Sequence, residues 1–472
     1  MMISRQDIIN ATGAKLFTPV KHETFDKVMI DSRQNSECGL FIAMKGTKTD
    51  GHYFLDDAWN HGARGALVSH KAILPREFSF FLVDDTIEAL KNLGKFCSKR
   101  LSGKKIAITG TVGKTTTKFF FQKILGVRFR VAATPFSYNT NIGVSSSLCN
   151  FSPQNDFFII EAGVNQKGEM SELAEIIDPE LVVFTAFGEG HLEGFGNVET
   201  VIQEKVLLAK NAKTIYLNGD SSYASKLKDD FSQAGKQVIL FGLKNHGEYQ
   251  LSLLDYILDP TVGMMTFRCQ CEKQIYTFQA PIFSPELIIL LLPVLHQALR
   301  LGIETNDIQT VLNEILLPEG REKIYRVGEG YVIDDSYNAN PISLHKALNL
   351  LKRFNYQGYQ TWVVLGDMLE MGSFSEAVHQ ECIRSLEEHK IKNVILYGSL
   401  MHEAAEKVLS KNLLDGEYYL AYSHQEIKKI LLEQIPFPFN HVVVLFKGSR
   451  AMKLEEAIPK EWIEHESWYY SQ

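Results

Sequence analysis

The chain is poor in cysteine. Six thiols stand in 472 residues, at positions 38, 97, 149, 269, 271 and 382. Their irregular spacing excludes a disulfide scaffold. Cys269-Gln-Cys271 has neither zinc-ribbon spacing nor a companion pair, which excludes a structural zinc site of that kind. All six are expected as reduced thiols in a cytoplasmic protein. Long apolar runs are lacking as well. The most apolar stretch, Leu287–Leu295, is too short to span a bilayer and contains Pro293, so it predicts a buried helix and no stable membrane insertion. The opening residues MMISRQDIINATG hold no apolar core of the signal-peptide type. Basic charge is not in excess either. Lys and Arg number 49 against 56 Asp and Glu, a net charge of −7, which argues against nucleic acid as a partner. Any polyanionic ligand must be held by local groups and not by the overall field. There is no internal repeat, no low-complexity linker and no G-x-G-x-x-G string.

What is present is ordinary globular composition, 45% apolar and 22% charged, over a length that suggests about two to four domains. Strand-like and helix-like segments alternate almost throughout, which predicts an α/β fold. Three blocks emerge. Block 1–100 reads as strands at 27–30, 40–43, 65–68 and 80–83 with helices at 54–62 and 86–100. Block 101–317 reads as strands at 105–109, 156–162, 181–185, 214–217 and 237–241 with a helix at 199–209. Its stretch 248–280 reads as short antiparallel strands forming a β appendage on the edge of a parallel sheet. Helices at 287–301 and 306–315 close it. Block 318–472 alternates strands at 331–334, 361–365, 393–397 and 441–446 with helices at 341–354, 374–388, 401–410, 424–434 and 451–457. That is a doubly wound, Rossmann-like outline, and without G-x-G-x-x-G a dinucleotide site there is not expected.

The most informative stretch is 106–117, IAITGTVGKTTT. A strand runs into Gly110-Thr111-Val112-Gly113-Lys114-Thr115-Thr116, and a helix-like run continues to Leu125. Glycines let backbone N–H groups close on an oxyanion, and a helix N-terminus adds positive potential. Lys114 would reach the outer phosphates and the Thr115 hydroxyl would ligate Mg²⁺. The loop is shorter than G-x-x-x-x-G-K-[ST], with two residues between its glycines. Glu161 ends the buried strand 156–162, and His191 follows the end of strand 181–185. Ligands of open α/β sheets gather at that edge, so a carboxylate and an imidazole beside the phosphate loop suit a second divalent cation.

With these residues together, the chain resembles the Mur ligase family over nearly its whole length, and within it the D-Ala-D-Ala-adding branch. Asp31-Ser32-Arg33, Leu40–Gly46 with Lys45, and Asp50-Gly51-His52 resemble the family's uridine-diphosphate domain. Asn141-Ile142-Gly143, Glu161-Ala162-Gly163 and His191–Gly196 match its central domain. Gly320-Arg321, Asp334–Pro341 (DDSYNANP), Leu365–Gly372 (LGDMLEMG) and Lys447–Arg450 (KGSR) match its third. The resemblance implies a UDP-sugar domain over 1–100, an ATP-binding P-loop domain over 101–317 and a Rossmann-like ligase domain over 318–472. The implied reaction is ATP-dependent amide formation between UDP-MurNAc-tripeptide and D-Ala-D-Ala through an acyl phosphate, for peptidoglycan synthesis, with other wall-synthesis enzymes as possible partners. It implies Lys114, Glu161, His191, Lys205 and Asn338 as catalytic. Gly110, Thr111, Gly113, Lys114, Thr115, Thr116, Arg321 and Asp335 would bind ATP, and Ser32, Arg33, Lys45, Asn141 and Asn340 the other substrates. Two Mg²⁺ ions are implied, on Thr115, Glu161, His191 and a carbamylated Lys205. Without the resemblance, Lys205 reads as one solvent-facing helix lysine, and Asn338 to Pro341 as an ordinary strand-to-helix turn.

The sequence departs from the family at four places, one of them Asn139-Thr140-Asn141, an altered version of the family's substrate-side Asn-Asn-x-Ile-Gly. Ala186 stands where asparagine is usual. Ser284–Leu290 replaces a Gly-x-His-Asn-x-x-Asn block expected near the adenosine half of ATP. Val206-Leu207-Leu208 lacks the acid usual after the lysine. Two other readings therefore stand beside the first: another Mur or folylpolyglutamate-type ligase, and a non-catalytic nucleotide- or UDP-sugar-binding paralogue.

Overall fold

A computed structural model describes the chain apart from residues 17–21, 48, 71–77, 188–194, 196, 244–248, 370, 410–416 and 464–472. Its strands form three large mixed or parallel sheets and one two-stranded ribbon. The first sheet runs in the order Lys15–Leu16, Ser79–Leu82, Ala63–Val68, Gly39–Ile42, Lys27–Met29. The helix Thr86–Arg100 follows it and docks on the central unit. There Ser98 Oγ donates to the Ile177 carbonyl at 2.9 Å, and Lys91 and Lys95 meet Glu172 and Glu175, each at 3.0 Å.

The central sheet has nine strands. Six are parallel, in the order Gln237–Gly242, Thr214–Asn218, Leu181–Phe184, Lys104–Thr109, Phe157–Glu161, Val131–Ala133. Three more, Leu251–Asp259, Met264–Cys271 and Gln274–Ala280, extend the Gln237–Gly242 edge and pair antiparallel with one another. This is the β appendage expected for 248–280. The parallel strands are buried on both faces, so their residues read as near-continuous apolar runs. Alternation still sorts them. Ile106 and Ile108 pack with Phe120, Phe121 and Leu291 on one side, and Ala107 packs with Leu148 and Ile177 on the other. The apolar run Leu287–Leu295 lies within the helix Pro285–Arg300 and is buried. Among the described residues no helix is long and apolar enough to cross a membrane. All six cysteines are free, five of them buried.

The third sheet has the order Lys323–Val327, Gly330–Asp335, Val442–Lys447, Gln360–Gly366, Asn393–Tyr397, Glu417–Ala421. All its neighbours are parallel except the first pair. Several elements escape a pattern reading. The helix Asn141–Asn150 is built from NIGVSSSLCN, whose Ser, Asn and Gly residues favour caps and turns in isolation. It forms because Val144, Leu148 and Cys149 are buried and Thr140 caps its start. The helices Arg5–Thr12, Glu169–Ile177 and Ala224–Gln233 and the edge strands Lys323–Val327 and Glu417–Ala421 were likewise not anticipated. The helix expected at 451–457 is two 3-10 turns, Arg450–Met452 and Leu454–Ala457, with Lys453 between them at φ 47°.

Candidate active site

The phosphate-loop motif sits where the central sheet opens. Strand Lys104–Thr109 ends, the loop turns, and helix Lys114–Leu125 begins. Two glycines are required by geometry. Gly113 has φ +87°, and a Cβ there would lie 2.6 Å from Leu290; at Gly110 a Cβ would lie 2.1 Å from Thr185 Oγ1. Only glycine meets both demands without strain. The neighbouring strand end props the loop. Thr185 Oγ1 donates to the Val112 carbonyl at 2.6 Å, and Thr111 N donates to the Ala186 carbonyl at 2.8 Å. Asn218, from the next strand, donates to the Thr185 carbonyl at 2.7 Å. Position 186 thus serves the loop through its backbone, which alanine provides.

Lys114 Nζ folds back onto the Gly110 and Thr111 carbonyls at 2.9 and 3.3 Å. Burial holds its pKa below the ordinary lysine value, Glu161 opposes that, and Arg321 adds to it. Glu161 is 1% exposed at the end of its strand. It accepts from Thr115 Oγ1 and Asn139 Nδ2, both at 3.0 Å, and pairs with Lys118 Nζ at 3.1 Å. Burial alone would raise its pKa; the Lys118 and Lys114 charges and the Asn139 bond outweigh burial and hold it below the usual carboxylate value. Lys118 is one helical turn beyond Lys114, so the i, i+4 spacing puts both on one face. That spacing was the available signal for Lys118; for Asn139 it was the Asn139-Thr140-Asn141 string, which resembles the family's substrate-side Asn-Asn-x-Ile-Gly.

The third sheet supplies the opposite wall. Arg321 Nη2 reaches Thr115 Oγ1 at 3.3 Å and its guanidinium lies 4.1 Å over the Tyr337 ring. Tyr337 OH and Ser137 Oγ are 2.6 Å apart. Lys447 Nζ pairs with Asp335 Oδ2 at 2.5 Å and donates to the Asn338 carbonyl at 3.1 Å. Asn340 caps helix Pro341–Tyr356, its side chain accepting from Ser343 N at 2.9 Å, with Pro341 in the first turn. The turn chemistry expected of DDSYNANP is therefore used structurally at Asn340.

Between the two walls lies a cavity of about 330 Å³. It is lined by Thr111, Gly113, Lys114, Thr115, Thr116 and Glu161 from one side, and by Arg321, Asp335, Asn338 and Asn340 from the other. Lys205 is 1% exposed and does not face solvent. It does not line the cavity. Burial first, and then the Lys114 charge, pull its pKa down to about 7. Its neighbour Glu204 does different work, accepting from Gly168 N and Met170 N at 2.8 and 2.9 Å to cap helix Glu169–Ile177. His191 lies outside the described residues. Ser32, Arg33 and Lys45 belong to the first unit and are not among the cavity's lining residues. Ser32 is nearly buried, Lys45 is exposed, and Arg33 pairs with Asp31 at 2.7 Å. Asn141, at the start of its helix, donates to Glu172 at 2.5 Å and is also outside the cavity.

The oxygen donors of Thr115 and Glu161 beside the phosphate loop match what Mg²⁺ requires, a hard cation taking carboxylate and hydroxyl oxygens. A neutral amine at Lys205 could add CO₂, and the resulting carbamate would be attracted to Lys114 where an ammonium is repelled.

Three family models match the chain: a Mur ligase family, catalytic domain over residues 24–92, a Mur ligase middle domain over 108–282, and a Mur ligase, glutamate ligase domain over 320–450. A Bacillus subtilis protein named UDP-N-acetylmuramoyl-tripeptide–D-alanyl-D-alanine ligase is 31% identical over 445 residues, 93% of each chain. The Escherichia coli protein of the same name is 27% identical over 92% of this chain and 93% of its own. Among solved structures, MurF from Acinetobacter baumannii superposes with a TM-score of 0.82 at 22% identity, covering 97% of this chain and 98% of that one. MurF from Thermotoga maritima in complex with ADP gives 0.78 at 24%, covering 93% and 97%. The phosphate loop, the three sheets and a match that runs almost from end to end lead to one conclusion: the chain belongs to the Mur ligase family.

Proposed function

We propose that this protein is the ATP-dependent, ADP-forming ligase that joins D-Ala-D-Ala to UDP-MurNAc-tripeptide in peptidoglycan synthesis. The observation that carries the reading is the composite cavity. The phosphate loop and Glu161 form one wall, and Arg321, Asp335, Asn338 and Lys447 form the other. Reaction would need both units closed on the nucleotide, which shields an acyl phosphate from water.

In this reading the tripeptide carboxylate attacks the γ-phosphorus of ATP, an O–P bond forms and ADP leaves. The D-Ala-D-Ala amine then attacks the acyl carbonyl and phosphate leaves. Positioning and charge stabilisation dominate the first step. Lys114 and the loop amides cradle the β- and γ-phosphoryl oxygens. Arg321 brings a second cation to the same oxygens from the third unit. Lys118 and Asn139 hold the Glu161 carboxylate in place. Thr115 and Glu161 would hold one Mg²⁺, and His191 with a carbamylated Lys205 the other; bound Mg²⁺ supplies neutralisation of the crowded phosphoryl and carboxylate charge. Asn338 would orient the reacting carboxylate or amine. Ser32, Arg33 and Lys45 would serve the UDP end, with Asn141 and Asn340 nearer the peptide. A cytoplasmic location follows from the soluble nucleotide substrates.

The test is phosphate release with ATP, Mg²⁺ and UDP-MurNAc-tripeptide, with and without D-Ala-D-Ala. Release that depends on D-Ala-D-Ala, with the pentapeptide product seen by mass, is expected. Release with other acceptors alone would move the chain to a sister ligase. No release with any acceptor, although the UDP-tripeptide binds, would make it a non-catalytic paralogue.

A further inference from the structure

A second cavity, of about 180 Å³, adjoins the turn that carries Arg321. Its walls come from both the central and the third unit. The hairpin between strands Leu251–Asp259 and Met264–Cys271 supplies Val262 and Met264, and the segment before helix Pro285–Arg300 supplies Pro281 and Phe283. Ile315 and Leu317 come from the connection between the units, and Ile324 and Tyr331 from the third sheet. The units meet around the hollow. Tyr331 OH donates to the Pro260 carbonyl at the hairpin turn, and the Phe283 ring stands edge-on to Tyr331 with centroids 4.8 Å apart. Among the described residues Glu322 alone borders both this cavity and the one at the phosphate loop.

Three features suit the hollow to a ligand. Its rim is uncovered: Val262 and Leu316 are 60% and 48% exposed, apolar surface that a ligand would withdraw from water. Its size is that of a small molecule, since apolar protein cavities of about 150 Å³ take up benzene. It also has one unmatched polar group. Gly320 and Glu322 have left-handed backbones, φ +67° and +57°, and Glu322 Oε1 is shut off from solvent without a hydrogen-bond partner among the described residues. A buried polar atom in that state calls for an explanation, and an absent ligand is one. Burial first, and then the Asp335 and Glu286 charges, push the Glu322 carboxyl well above the ordinary range. It therefore stands neutral, able both to donate and to accept. The cations at the border are engaged: Lys323 Nζ lies 4.6 Å from the centre of the Tyr325 ring, and Arg326 Nε donates to the Gly328 carbonyl at 3.4 Å. An ionised ligand would lose its hydration here with no neutralising charge set aside for it.

We infer that this cavity binds a small neutral amphiphile, an apolar body with one hydroxyl or carboxamide, and that its occupant favours the arrangement in which Arg321 faces Thr115. The coupling follows from the walls. The hollow has this shape while the hairpin and the third unit hold their present relation, and the same relation sets Arg321 Nη2 3.3 Å from Thr115 Oγ1. A ligand that fills it binds this arrangement better than one in which the walls part, and so shifts the population toward it. A nucleotide at the phosphate loop draws the units together from the other cavity, and linkage makes the effect reciprocal. The coupling, though not the binding, rests on the nucleotide reading of that loop.

The experiment uses the full chain, with benzyl alcohol, benzoate and ADP with Mg²⁺ as probes. In ligand-observed NMR titrations, benzyl alcohol should bind at least about tenfold more tightly than benzoate, which is similar in size but charged. Val262→Trp, at an exposed rim position, should abolish benzyl alcohol binding and leave the ADP affinity, measured by calorimetry, as in wild type. Leu316→Trp, at the other exposed rim residue, repeats the test should the first variant fail to fold. Saturating benzyl alcohol should tighten ADP binding to wild type by about fivefold or more and leave the rim variant unmoved. Absence of benzyl alcohol binding, equal or tighter binding of benzoate, binding that survives both rim substitutions, or an ADP affinity indifferent to benzyl alcohol would each overturn the inference. A wild-type protein that never binds ADP fails the nucleotide reading, and the coupling with it; the benzyl alcohol titrations then decide by themselves whether the cavity takes its ligand.

Discussion

Lys447 and Asp335 are register partners at the ends of the parallel strands Val442–Lys447 and Gly330–Asp335. Their side chains are 1% and 21% exposed and meet at 2.5 Å. Lys447 also holds the Asn338 carbonyl at 3.1 Å, so one ammonium fixes the turn that lines the cavity. Replacing Lys447 by Met removes the ion-pair partner of the Asp335 carboxylate, and breaking a buried pair from one side costs about 3–5 kcal/mol. Asp335→Asn keeps an acceptor but strands the ammonium, at about 2–3 kcal/mol. The two losses share one interaction, so the double variant should be less destabilised than the sum by about 2 kcal/mol. The assay is denaturant unfolding of wild type, both single variants and the double, with the nucleotide KM measured alongside. Both single variants should raise KM for ATP as the turn at 336–340 loosens. Additivity within about 0.5 kcal/mol, or an unchanged KM in both single variants, would refute the reasoning.

Glu161→Gln should lower turnover by about 10²–10³-fold, the range for one lost preorganised electrostatic group, measured as phosphate release at saturating ATP. With ¹³C-bicarbonate, a carbamate carbon signal should appear in wild type and be missing from Lys205→Arg, which should also lack turnover; a signal in both would unseat Lys205. His296 is buried between Tyr216 and Glu272, 2.7 and 3.0 Å from its ring nitrogens. Burial lowers its pKa from 6.5, against the pull of Glu272. The unfolded chain then binds more protons below pH 6.5, so stability should fall as pH drops through that region, by up to about 1.4 kcal/mol per unit. His296→Gln should flatten this acid limb of a melting-temperature profile. Tyr216→Phe removes the partner of a buried ring nitrogen and should destabilise by about 1–3 kcal/mol, read by denaturant midpoint.

Much of the phosphate end was legible because its chemistry is local in sequence. Strand, glycines, lysine and threonine lie within twelve consecutive residues, and Glu161 follows an apolar run that could only be a buried strand. The β appendage was legible for the same reason, its alternation being a nearest-neighbour property. The partners of Asn139, Ser137 and Tyr337 were not, since Ser137 is an ordinary loop residue and the strings that hold Asn139 and Tyr337 do not say which distant residue each meets. Lys205 reads as solvent-facing on its own helix, and only its burial shows otherwise.

The amino-acid sequence by itself determined the family, the α/β class, the phosphate cradle and the absence of a conspicuous membrane span or disulfide frame. These depend on short-range pattern: backbone conformations that glycine permits, and periodicities of two and 3.6 residues. Tertiary structure alone decided that Arg321 faces Thr115 from 206 residues away, that Lys447 closes on Asp335 from 112, and that Glu322 Oε1 is buried with no hydrogen-bond partner among the described residues. Those facts arise from desolvation and charge pairing between units packed face to face, and no local pattern in the chain encodes which buried charge will meet which.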